Sequence, residues 1–521
     1  MKPTLLLLAL LTFCGFRPAT FAAEPSRPNI VILLADDLGY GDVGCYNAES
    51  KVRTPNLDRL AREGMRFTDA HSASTVCTPS RYSLMTGRMC FRTGYRGGVF
   101  TGAGGPSLIE KDRVTLPGML RDQGYATGCV GKWHIGMTFQ THDGKPVHEV
   151  KVDGNAKELE RVKLIDFTKP IPDGPVHRGF DYFFGTACCP GTDWLYAFIE
   201  NDRVPVPPDH LLDASALPKH AYANDCRRGW VAPGFDHELL DLVFLEKSKA
   251  WLAQQVQRAP TKPFFLYHAM QAVHLPSFAA PQFKGKSKAG PHGDFIVELD
   301  FIVGELMATL QKLGVADNTL IIFSSDNGPE TTSVVHMRAD YAHDPARPWR
   351  GVKRDDWEGG HRVPLIVNWP GRIKAGVSDA TVCLTDLMAT CAAITGAQLP
   401  ATAAEDSFSF LPALTGAPNQ SPQRDFTLHQ TISLAMAIRR GDWKYLDHRG
   451  SGGNRYDQGE LQPFALPDTA PAAPAQLYNL KTDPGETTNL YFEHPEIVKE
   501  LKALLEASKA SGRTHATKAR L

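Results

Sequence analysis

The sequence has little charge imbalance and no apolar run long enough to span a membrane. Its 521 residues contain 56 lysines and arginines against 57 aspartates and glutamates, a formal net charge of −1. A protein that binds nucleic acid electrostatically needs a marked basic excess, so this balance argues against that class. A membrane-spanning helix needs about 20 consecutive apolar residues, and none is present. P-loop, HExxH and GxSxG motifs are also absent, so the signatures of P-loop nucleotide-binding proteins, zincin metalloproteases and α/β-hydrolases are missing.

The N-terminus is typical of an export signal. Lys2 is followed by a short apolar run, Leu5–Leu11, and then by small residues, with Ala22-Ala23 as a cleavage site. We predict a signal peptide over residues 1–23 and a protein that is periplasmic or secreted. Cleavage removes Cys14 from the ten cysteines and leaves nine. An odd number in an exported protein flags a thiol that is unpaired and open to reaction.

After the predicted signal peptide, one sequence pattern recurs: an unbroken apolar run ends abruptly in polar residues. Such runs indicate strands that are buried on both faces of a parallel sheet. They lie at Asn29–Ala35, Tyr125–Val130, Pro263–His268 and Thr319–Ser324. Helical patterns lie between them, among them Pro55–Gly64 and residues 295–312. We predict an α/β domain over residues 24–415, with a large, mostly parallel sheet flanked by helices.

The sequence pattern changes beyond about residue 415. Leu434–Ile438 and Trp443–Leu446 are short strand patterns, and Pro495–Ser508 is a helical one. They predict a smaller C-terminal α+β subdomain over residues 416–521, with antiparallel strands and a helix.

In an open α/β sheet, ligands bind outside the carboxyl ends of the strands. Polar clusters lie at or shortly past the ends of all four predicted strands, so we expect them to meet in one cleft. Two long polar segments, 141–175 and 201–235, are expected to shape that cleft together with His336–His343.

The most distinctive motif is Cys77-Thr-Pro-Ser-Arg81, which continues to Thr86-Gly-Arg88. Pro79 suits the first turn of a helix, and a helix N-terminus beside Arg81 favours negative charge. We therefore expect Cys77 to have a stabilised, reactive thiolate. Taken alone, the same cysteine could be a disulfide partner or a small buried apolar residue.

Acidic residues at two predicted strand ends form a candidate metal site. Asp36 and Asp37 are adjacent and repel one another unless a cation or a proton neutralises them. Asp326 and Asn327 at another strand end complete a set of three carboxylates and one amide oxygen. Hard oxygen ligands of this kind suit Ca²⁺ or Mg²⁺ rather than Zn²⁺.

The extended pattern C-x-P-S-R-x-x-x-x-T-G-R resembles the signature of the formylglycine-dependent (type I) sulfatases, arylsulfatase-like members of the alkaline-phosphatase-like superfamily. Further phrases occur in the family's order, so the resemblance covers roughly Asn29 to Pro364 and reappears near the C-terminus. These phrases are Gly131-Lys-Trp-His-Ile-Gly136, Gly179-Phe-Asp-Tyr-Phe-Phe-Gly185, His274-Leu-Pro276, Arg350-Gly-Val-Lys353, Trp357-Glu-Gly-Gly-His-Arg-Val-Pro364 and Leu477-Tyr-Asn-Leu-Lys-Thr-Asp-Pro-Gly-Glu486.

The resemblance implies that a separate maturing enzyme oxidises Cys77 to formylglycine and that the hydrate of this aldehyde attacks sulfur. It also implies one bound divalent ion, usually Ca²⁺, with Mg²⁺ as the alternative. The implied ligands of this ion are residue 77 together with Asp36, Asp37, Asp326 and Asn327.

The resemblance also implies roles for the basic residues. Lys132 would hold the hydrate and a sulfate oxygen, and His134 would be the base in sulfate release. His274 and Lys353 would bind sulfate and protonate the leaving alcohol. Arg81 would add a fixed positive charge, because a dianionic transition state needs such donors. The implied reaction is hydrolysis of a sulfate monoester, of a carbohydrate or of an aryl alcohol, by covalent catalysis.

One position departs from the family pattern. The family often has a hydroxyl residue shortly after the phrase that ends at Gly185, whereas in this chain Thr186-Ala is followed by two cysteines, Cys188 and Cys189. The adjacent cysteines could form disulfides elsewhere or line the cleft, so no role is assigned to them.

Three other functions are compatible with parts of the sequence. Gly39-Tyr-Gly41-Asp-Val-Gly44 matches GxGxxG, but Asp36-Asp37 occupies the turn and would repel a pyrophosphate, which argues against a dinucleotide enzyme. A phosphonate or phosphate ester hydrolase using the same aldehyde stays open, because the metal ligands discriminate weakly. A non-catalytic binder of sulfated glycans, in which Cys77 stays a thiol, would have little use for His134 and His274 beside an anion site.

Overall fold

The computed structural model describes residues 27–101, 103, 105–154, 157–416 and 424–514. The predicted signal peptide over residues 1–23 lies outside this range, as do residues 417–423 at the predicted boundary between two units. That boundary stays a prediction. Among the described helices, none is both long enough and apolar enough to cross a bilayer.

A nine-stranded mixed sheet forms the centre of the molecule, accompanied by sheets of two, three and four strands. The strands are β1 Asn29–Ala35, β2 Met65–Phe67, β3 Ala70–His71, β4 Ala126–Lys132, β5 Tyr182–Thr186, β6 Leu195–Tyr196, β7 Ile199–Glu200, β8 His210–Leu211, β9 Trp230–Val231, β10 Phe264–Ala269, β11 Thr319–Ser325, β12 Leu365–Asn368, β13 Gly376–Ser378, β14 Val382–Cys383, β15 Thr427–Gln430, β16 Met436–Arg440, β17 Trp443–Leu446 and β18 Gln476–Asn479. The α-helices are α1 Pro55–Glu63, α2 Cys77–Thr86, α3 Leu116–Asp122, α4 Lys157–Lys163, α5 Leu240–Arg258, α6 Gly290–Lys312, α7 Thr331–Tyr341, α8 Glu358–His361, α9 Asp386–Thr395, α10 Leu411–Thr415 and α11 Pro495–Ala510.

Parallel pairing dominates the middle of the large sheet, whose strand order is β13-β2-β12-β11-β1-β10-β4-β5-β7. The run from β11 to β5 is parallel throughout, and antiparallel pairs occur where β12 meets β11 and β2 and where β7 meets β5. In β1, Ile30 and Ile32 pack into one hydrophobic core, while Val31 and Leu33 pack into another on the opposite face. Burial on both faces explains why the strand is an unbroken apolar run. The predicted fold class is confirmed.

Two element boundaries differ from the prediction for identifiable reasons. Strand β4 continues to Lys132, beyond the predicted end at Val130. Gly131 permits this, because its φ is 110° and a Cβ there would lie 1.8 Å from the carbonyl oxygen of Ala269. Helix α6 starts at Gly290 rather than near Phe295, because a proline follows in its first turn and preorganises the backbone.

The four-stranded sheet lies in the C-terminal part of the chain and is antiparallel throughout, in the order β15-β16-β17-β18. Helix α11 covers one face, where Val498, Leu501 and Leu505 join a core with Ile438 and Leu477. These apolar residues at helical and alternating strand spacings account for the antiparallel sheet and helix that the sequence predicts here.

Three buried histidines connect this small sheet to the rest of the molecule. His361 stacks on His429 with ring centroids 3.7 Å apart, and its Nδ1 lies 3.1 Å from Nδ1 of His71. The chain of contacts ends at Asp69, 2.9 Å from His71 Nε2, and at Lys444, 3.1 Å from His361 Nε2. The three rings are close enough together to hold a metal ion. The neighbouring cations Lys444, Arg362 and Arg439 oppose a further positive charge, so these rings are structural.

Acid should weaken this histidine cluster. Burial lowers the pKa of His71, His361 and His429, with Lys444 and Arg439 adding to the effect and Glu358 and Asp69 opposing it. Because each folded pKa lies below the unfolded value of about 6.5, the stability contributed by each neutral ring is present above that pH and is lost as the pH falls.

A histidine variant isolates this effect from other buried acids. We expect the difference in free energy of unfolding between the wild type and His429→Phe to shrink by up to ~1.4 kcal/mol per pH unit as the pH falls from about 6.5 to 5. Calorimetry over that range measures it, with the exposed His210→Phe as the control. A difference that stays constant with pH would contradict the prediction.

Candidate active site

The carboxyl ends of four adjacent parallel strands bring the predicted residues together. Strands β11, β1, β10 and β4 lie side by side. Beyond or at their ends stand Asp326-Asn327, Asp36-Asp37, His274 and Lys132-His134. Cys77 begins α2 with Arg81 one turn later, and Lys353 lies in the loop between α7 and α8. The contacts among these side chains confirm that the clusters meet in one place; their catalytic and metal-binding roles stay predictions.

Three buried carboxylates face three buried cations. The pairs are Asp36 with Lys132, Asp326 with Arg81 and Asp37 with Lys353. Arg81 Nε donates to Asp326 Oδ2 over 2.8 Å, and Lys353 Nζ donates to Asp37 Oδ2 over 2.7 Å. Buried charges are stable only when paired, so these contacts fix the positions of all six groups.

The oxygen set fits a hard divalent cation. Asn327 Nδ2 donates to Asp37 Oδ1 over 2.7 Å, while Asn327 Oδ1 is buried without a hydrogen-bond partner. Asp36, Asp37, Cys77 and His274 also lie close enough together to bind one ion. A buried amide oxygen without a hydrogen-bond partner beside carboxylates is suited to bind a cation, and these hard donors fit Ca²⁺ or Mg²⁺.

Two site residues have strained backbones. Asp37 and His134 both have φ of 58°, in the left-handed region that non-glycine residues rarely adopt. Backbone hydrogen bonds to segments just beyond β10 and β5 hold the chain here: Val273 N donates to the carbonyl of Asp36, and His134 N donates to that of Ala187. Strain of this kind concentrates at functional sites, where it directs side chains that a relaxed backbone would not.

The prediction that the unmodified Cys77 has a stabilised thiolate is wrong. Cys77 is the first residue of α2, as predicted, but it is buried with Sγ 3.6 Å from Asp36 Oδ1. Burial raises the pKa of the thiol well above its usual value, and Asp326 and Asp36 add to the rise despite Lys132 and Lys353. Desolvation and neighbouring carboxylates therefore outweigh the helix N-terminus.

Cys189 is a site residue to which sequence reasoning assigned no role. Its Sγ lies 3.8 Å from Nδ1 of His134 and 3.8 Å from Nε2 of His274, between the two rings. The other nitrogen of each ring is held by a backbone carbonyl: His134 Nε2 donates to Phe100 O over 2.8 Å, and His274 Nδ1 donates to Leu275 O over 2.5 Å. Departure from the family phrase was the only signal, and it could not indicate which of the adjacent cysteines faces the cleft.

The two histidines are shifted in opposite directions. Burial lowers the pKa of His134 despite the opposing charge of Cys189. Burial and Lys353 also act to lower the pKa of His274, but the negative charges of Cys189 and Asp37 outweigh them and raise it to about 9. Cys189 thus lies between one imidazole whose pKa is lowered and one whose pKa is raised, an arrangement able to supply both a base and an acid.

The cleft above Cys77 differs in part from the predicted one. Segment 201–235 contributes Asp225 and Arg227 to its lining, as expected. Among the described lining residues, none comes from 141–175 or from His336–His343. The first segment borders a separate surface depression, and in the second His336 packs on Tyr222 with ring centroids 5.8 Å apart. Chain folding turns both away from the strand ends.

Glu330 and Arg354, which the sequence did not single out, also line the cleft. Glu330 precedes α7 and accepts hydrogen bonds from Arg354, one of them 2.8 Å long. Its Oε2 lies 3.3 Å from Lys353 Nζ. This carboxylate is a second partner of Lys353 besides Asp37, so the lysine is held by two anions.

Comparison with known proteins agrees with this geometry. The Sulfatase family model matches residues 28–397. The chain is 33% identical to the N-acetylgalactosamine-6-O-sulfatase of Bacteroides thetaiotaomicron, covering 98% of each chain, and 33% identical to human arylsulfatase A, covering 96% of this chain and 90% of the relative. A solved structure from a study of glycosaminoglycan metabolism by Bacteroides thetaiotaomicron has a TM-score of 0.77 at 31% identity, covering 93% of this chain and 99% of the other.

The match extends through the strands that carry the cleft and over almost the full length of the relatives. The architecture is that of the alkaline-phosphatase-like sulfatases. This chain therefore belongs to the sulfatase family and is a sulfuric ester hydrolase.

Proposed function

We propose that this protein is an exported sulfatase that removes sulfate from a sulfated carbohydrate through formylglycine at position 77. The observation that carries the proposal is the position of Cys77. It lies on the floor of the cleft, among Lys132, Lys353 and the paired carboxylates, with His134 and His274 lining the same cleft. A substrate sulfate there would lie near fixed positive donors, which stabilise the charge that develops in the transition state.

Different residues of the site have different roles in the proposed reaction. Lys353 lines the cleft, where Asp37 holds it, and the buried Lys132 is held near Cys77 by Asp36, so both would bind sulfate oxygens. His274, with Nδ1 donating to a backbone carbonyl, presents Nε2 to the leaving oxygen and gives it a proton. His134 takes a proton from residue 77 when sulfate departs. As formylglycine, residue 77 would supply the attacking hydroxyl and a second hydroxyl whose ionisation expels sulfate.

A hard cation completes the proposed site. Asp36, Asp37, Asp326 and Asn327 would hold Ca²⁺ or Mg²⁺, which polarises a sulfate oxygen when bound. The proposal also includes a separate maturing enzyme that oxidises Cys77. Export through the predicted signal peptide would carry the protein to the periplasm or out of the cell.

Removal of the metal is expected to lower both stability and activity. Chelation by EGTA and EDTA should leave a folded protein, because Arg81, Lys132 and Lys353 still neutralise the carboxylates. Activity should fall by on the order of 10²-fold or more, since polarisation by the metal contributes several kcal/mol. Added Ca²⁺ should restore activity and raise the melting temperature, by about 2.7 kcal/mol of stability at 100 times its Kd.

A ligand variant checks that the metal effect arises at this site. In Asn327→Ala the stabilisation by Ca²⁺ should shrink, whereas the surface variant Asn318→Ala should respond as the wild type does. Equal stabilisation in both variants would mean that the cation binds elsewhere.

A hydrolysis screen tests the proposed function. Purified, matured protein is assayed against 6-O- and 4-O-sulfated N-acetylhexosamines, an aryl sulfate and an aryl phosphonate, with release of sulfate or phosphonate measured. The relatives named above act on sulfated sugars or aryl sulfates by their names, so sulfate release from at least one sugar is expected. Turnover of the phosphonate alone would favour the phosphonate hydrolase, and binding of sulfated sugars without turnover would favour the glycan binder.

A further inference from the structure

The cleft contains a thiol that the proposed hydrolysis does not consume. Cys189 follows β5 and lines the cleft with Cys77, His134 and His274. It is 7% exposed, compared with 1% for Cys77 and for its neighbour Cys188. Within the described residues, none of the nine cysteines forms a disulfide. Cys189 is thus an unbonded sulfur that borders the space a substrate would enter.

The surroundings of this thiol are those of an activated nucleophile. Two imidazole nitrogens lie 3.8 Å from its Sγ. Because backbone carbonyls hold the opposite nitrogens, neither ring can turn away from the sulfur without losing a hydrogen bond. A cysteine beside histidine transfers its proton to the ring and reacts as the thiolate.

We propose that Cys189 is a modification site, a cleft thiolate that peroxide oxidises to sulfenic acid and thereby reversibly inactivates the enzyme. The thiolate sulfur attacks one peroxide oxygen and forms an S–O bond as the O–O bond breaks. The leaving hydroxide takes a proton from the imidazolium beside it and departs as water. Sulfur is oxidised by two electrons and peroxide is reduced by two, and a thiol reductant reverses the change.

Inactivation follows from where the new oxygen would lie. Sγ is already in contact with both histidines, so the sulfenic oxygen must enter the cleft or displace a ring. Either outcome obstructs the two groups that the proposed function uses as acid and base. The effect on activity therefore rests on the proposed function, whereas the oxidation of the thiol does not.

Other cysteines of the same chain provide internal controls. Cys45 and Cys226 are more exposed than Cys189, yet their surroundings disfavour the thiolate. Burial, together with Asp58 for Cys45, raises the pKa of Cys45 to about 12 and that of Cys226 to about 11. For Cys189, His134 and Lys132 outweigh burial and lower the pKa well below its usual value. If exposure alone decided the rate, Cys45 and Cys226 would be oxidised before Cys189. If stabilisation of the thiolate decides it, Cys189 is oxidised first.

The experiment treats the full-length, matured protein with hydrogen peroxide in the presence of dimedone, which traps sulfenic acid. Peptide mass spectrometry should find the label on Cys189 before Cys45 or Cys226. His134→Asn should slow labelling of Cys189 by about 10-fold, because it removes the ring nitrogen, Nδ1, that faces the sulfur and can take the thiol proton. Labelling of Cys45 or Cys226 first, or an unchanged rate in His134→Asn, would overturn the proposal.

A second arm measures activity. Peroxide should inactivate the wild type at least ~10-fold faster than Cys189→Ser, each measured relative to its own starting rate, and dithiothreitol should restore the wild type. Equal inactivation rates would overturn the proposed regulation. If Cys189→Ser has no activity to follow, the labelling arm decides alone. Because labelling is read as mass, it stands even if no sulfate ester is hydrolysed, so the two proposals fail separately.

Discussion

Replacement of Cys77 by serine is expected to abolish turnover while leaving the protein folded. Serine places one hydroxyl where formylglycine hydrate places two. The single hydroxyl can attack sulfur, but nothing at residue 77 can then ionise to expel sulfate. We expect kcat to fall by at least ~10³-fold, the scale seen when a nucleophile is removed.

Intact mass and kinetics together test this expectation. After incubation with substrate, the Cys77→Ser protein should retain one covalent sulfate. The wild-type peptide that contains residue 77 should show the mass of an aldehyde in place of the thiol. Cys90→Ser is the matched control, because Cys90 is as buried as Cys77 but does not line the cleft. Normal turnover by Cys77→Ser, or an unmodified thiol in active wild-type enzyme, would contradict the mechanism.

Replacement of Lys353 by methionine is expected to have the next largest effect. Its Nζ contacts Asp37 at 2.7 Å and Glu330 at 3.3 Å, and it lines the cleft. Methionine keeps most of the volume but removes a positive donor that would face the transferred sulfate. Loss of one such donor lowers kcat by on the order of 10²–10³-fold.

The chain offers an unusually close control for this loss. Lys444 is also a buried lysine between two carboxylates, with Glu358 and Glu486 both 3.0 Å from its Nζ, but it lies in the histidine cluster rather than in the cleft. Breaking a buried pair costs about 3–5 kcal/mol of stability in either place. Both variants should therefore have a lower melting temperature, whereas only Lys353→Met should have a lower kcat per folded molecule. Equal losses of kcat would reduce Lys353 to a structural role.

Much of the fold was predictable from local patterns. Unbroken apolar runs located β1, β4, β10 and β11 to within about two residues, because strands buried on both faces must be apolar throughout. The convergence of Asp36, His134, His274 and Asp326 also followed, since parallel strands bring their carboxyl ends to one edge. The segment 141–175 was misplaced, because loop direction depends on packing that no local pattern records.

The protonation of the site could not be predicted from the sequence. A helix N-terminus favours a thiolate at Cys77, yet burial and two carboxylates have the larger effect. At Cys189 burial acts the same way, but two histidines and Lys132 reverse it. The pKa values of two cysteines that line the same cleft are therefore shifted in opposite directions by neighbours that are distant in the chain.

By itself, the sequence determined the sheet, the family and the residues that carry the proposed chemistry, because strand burial and motif spacing are local properties. The tertiary structure alone decided which charges pair, that Asn327 leaves an oxygen unpartnered and that Cys189 rather than Cys188 lies between His134 and His274. The physical reason is that ionisation depends on burial and on distances of a few ångströms, and folding sets both between residues that the sequence places far apart.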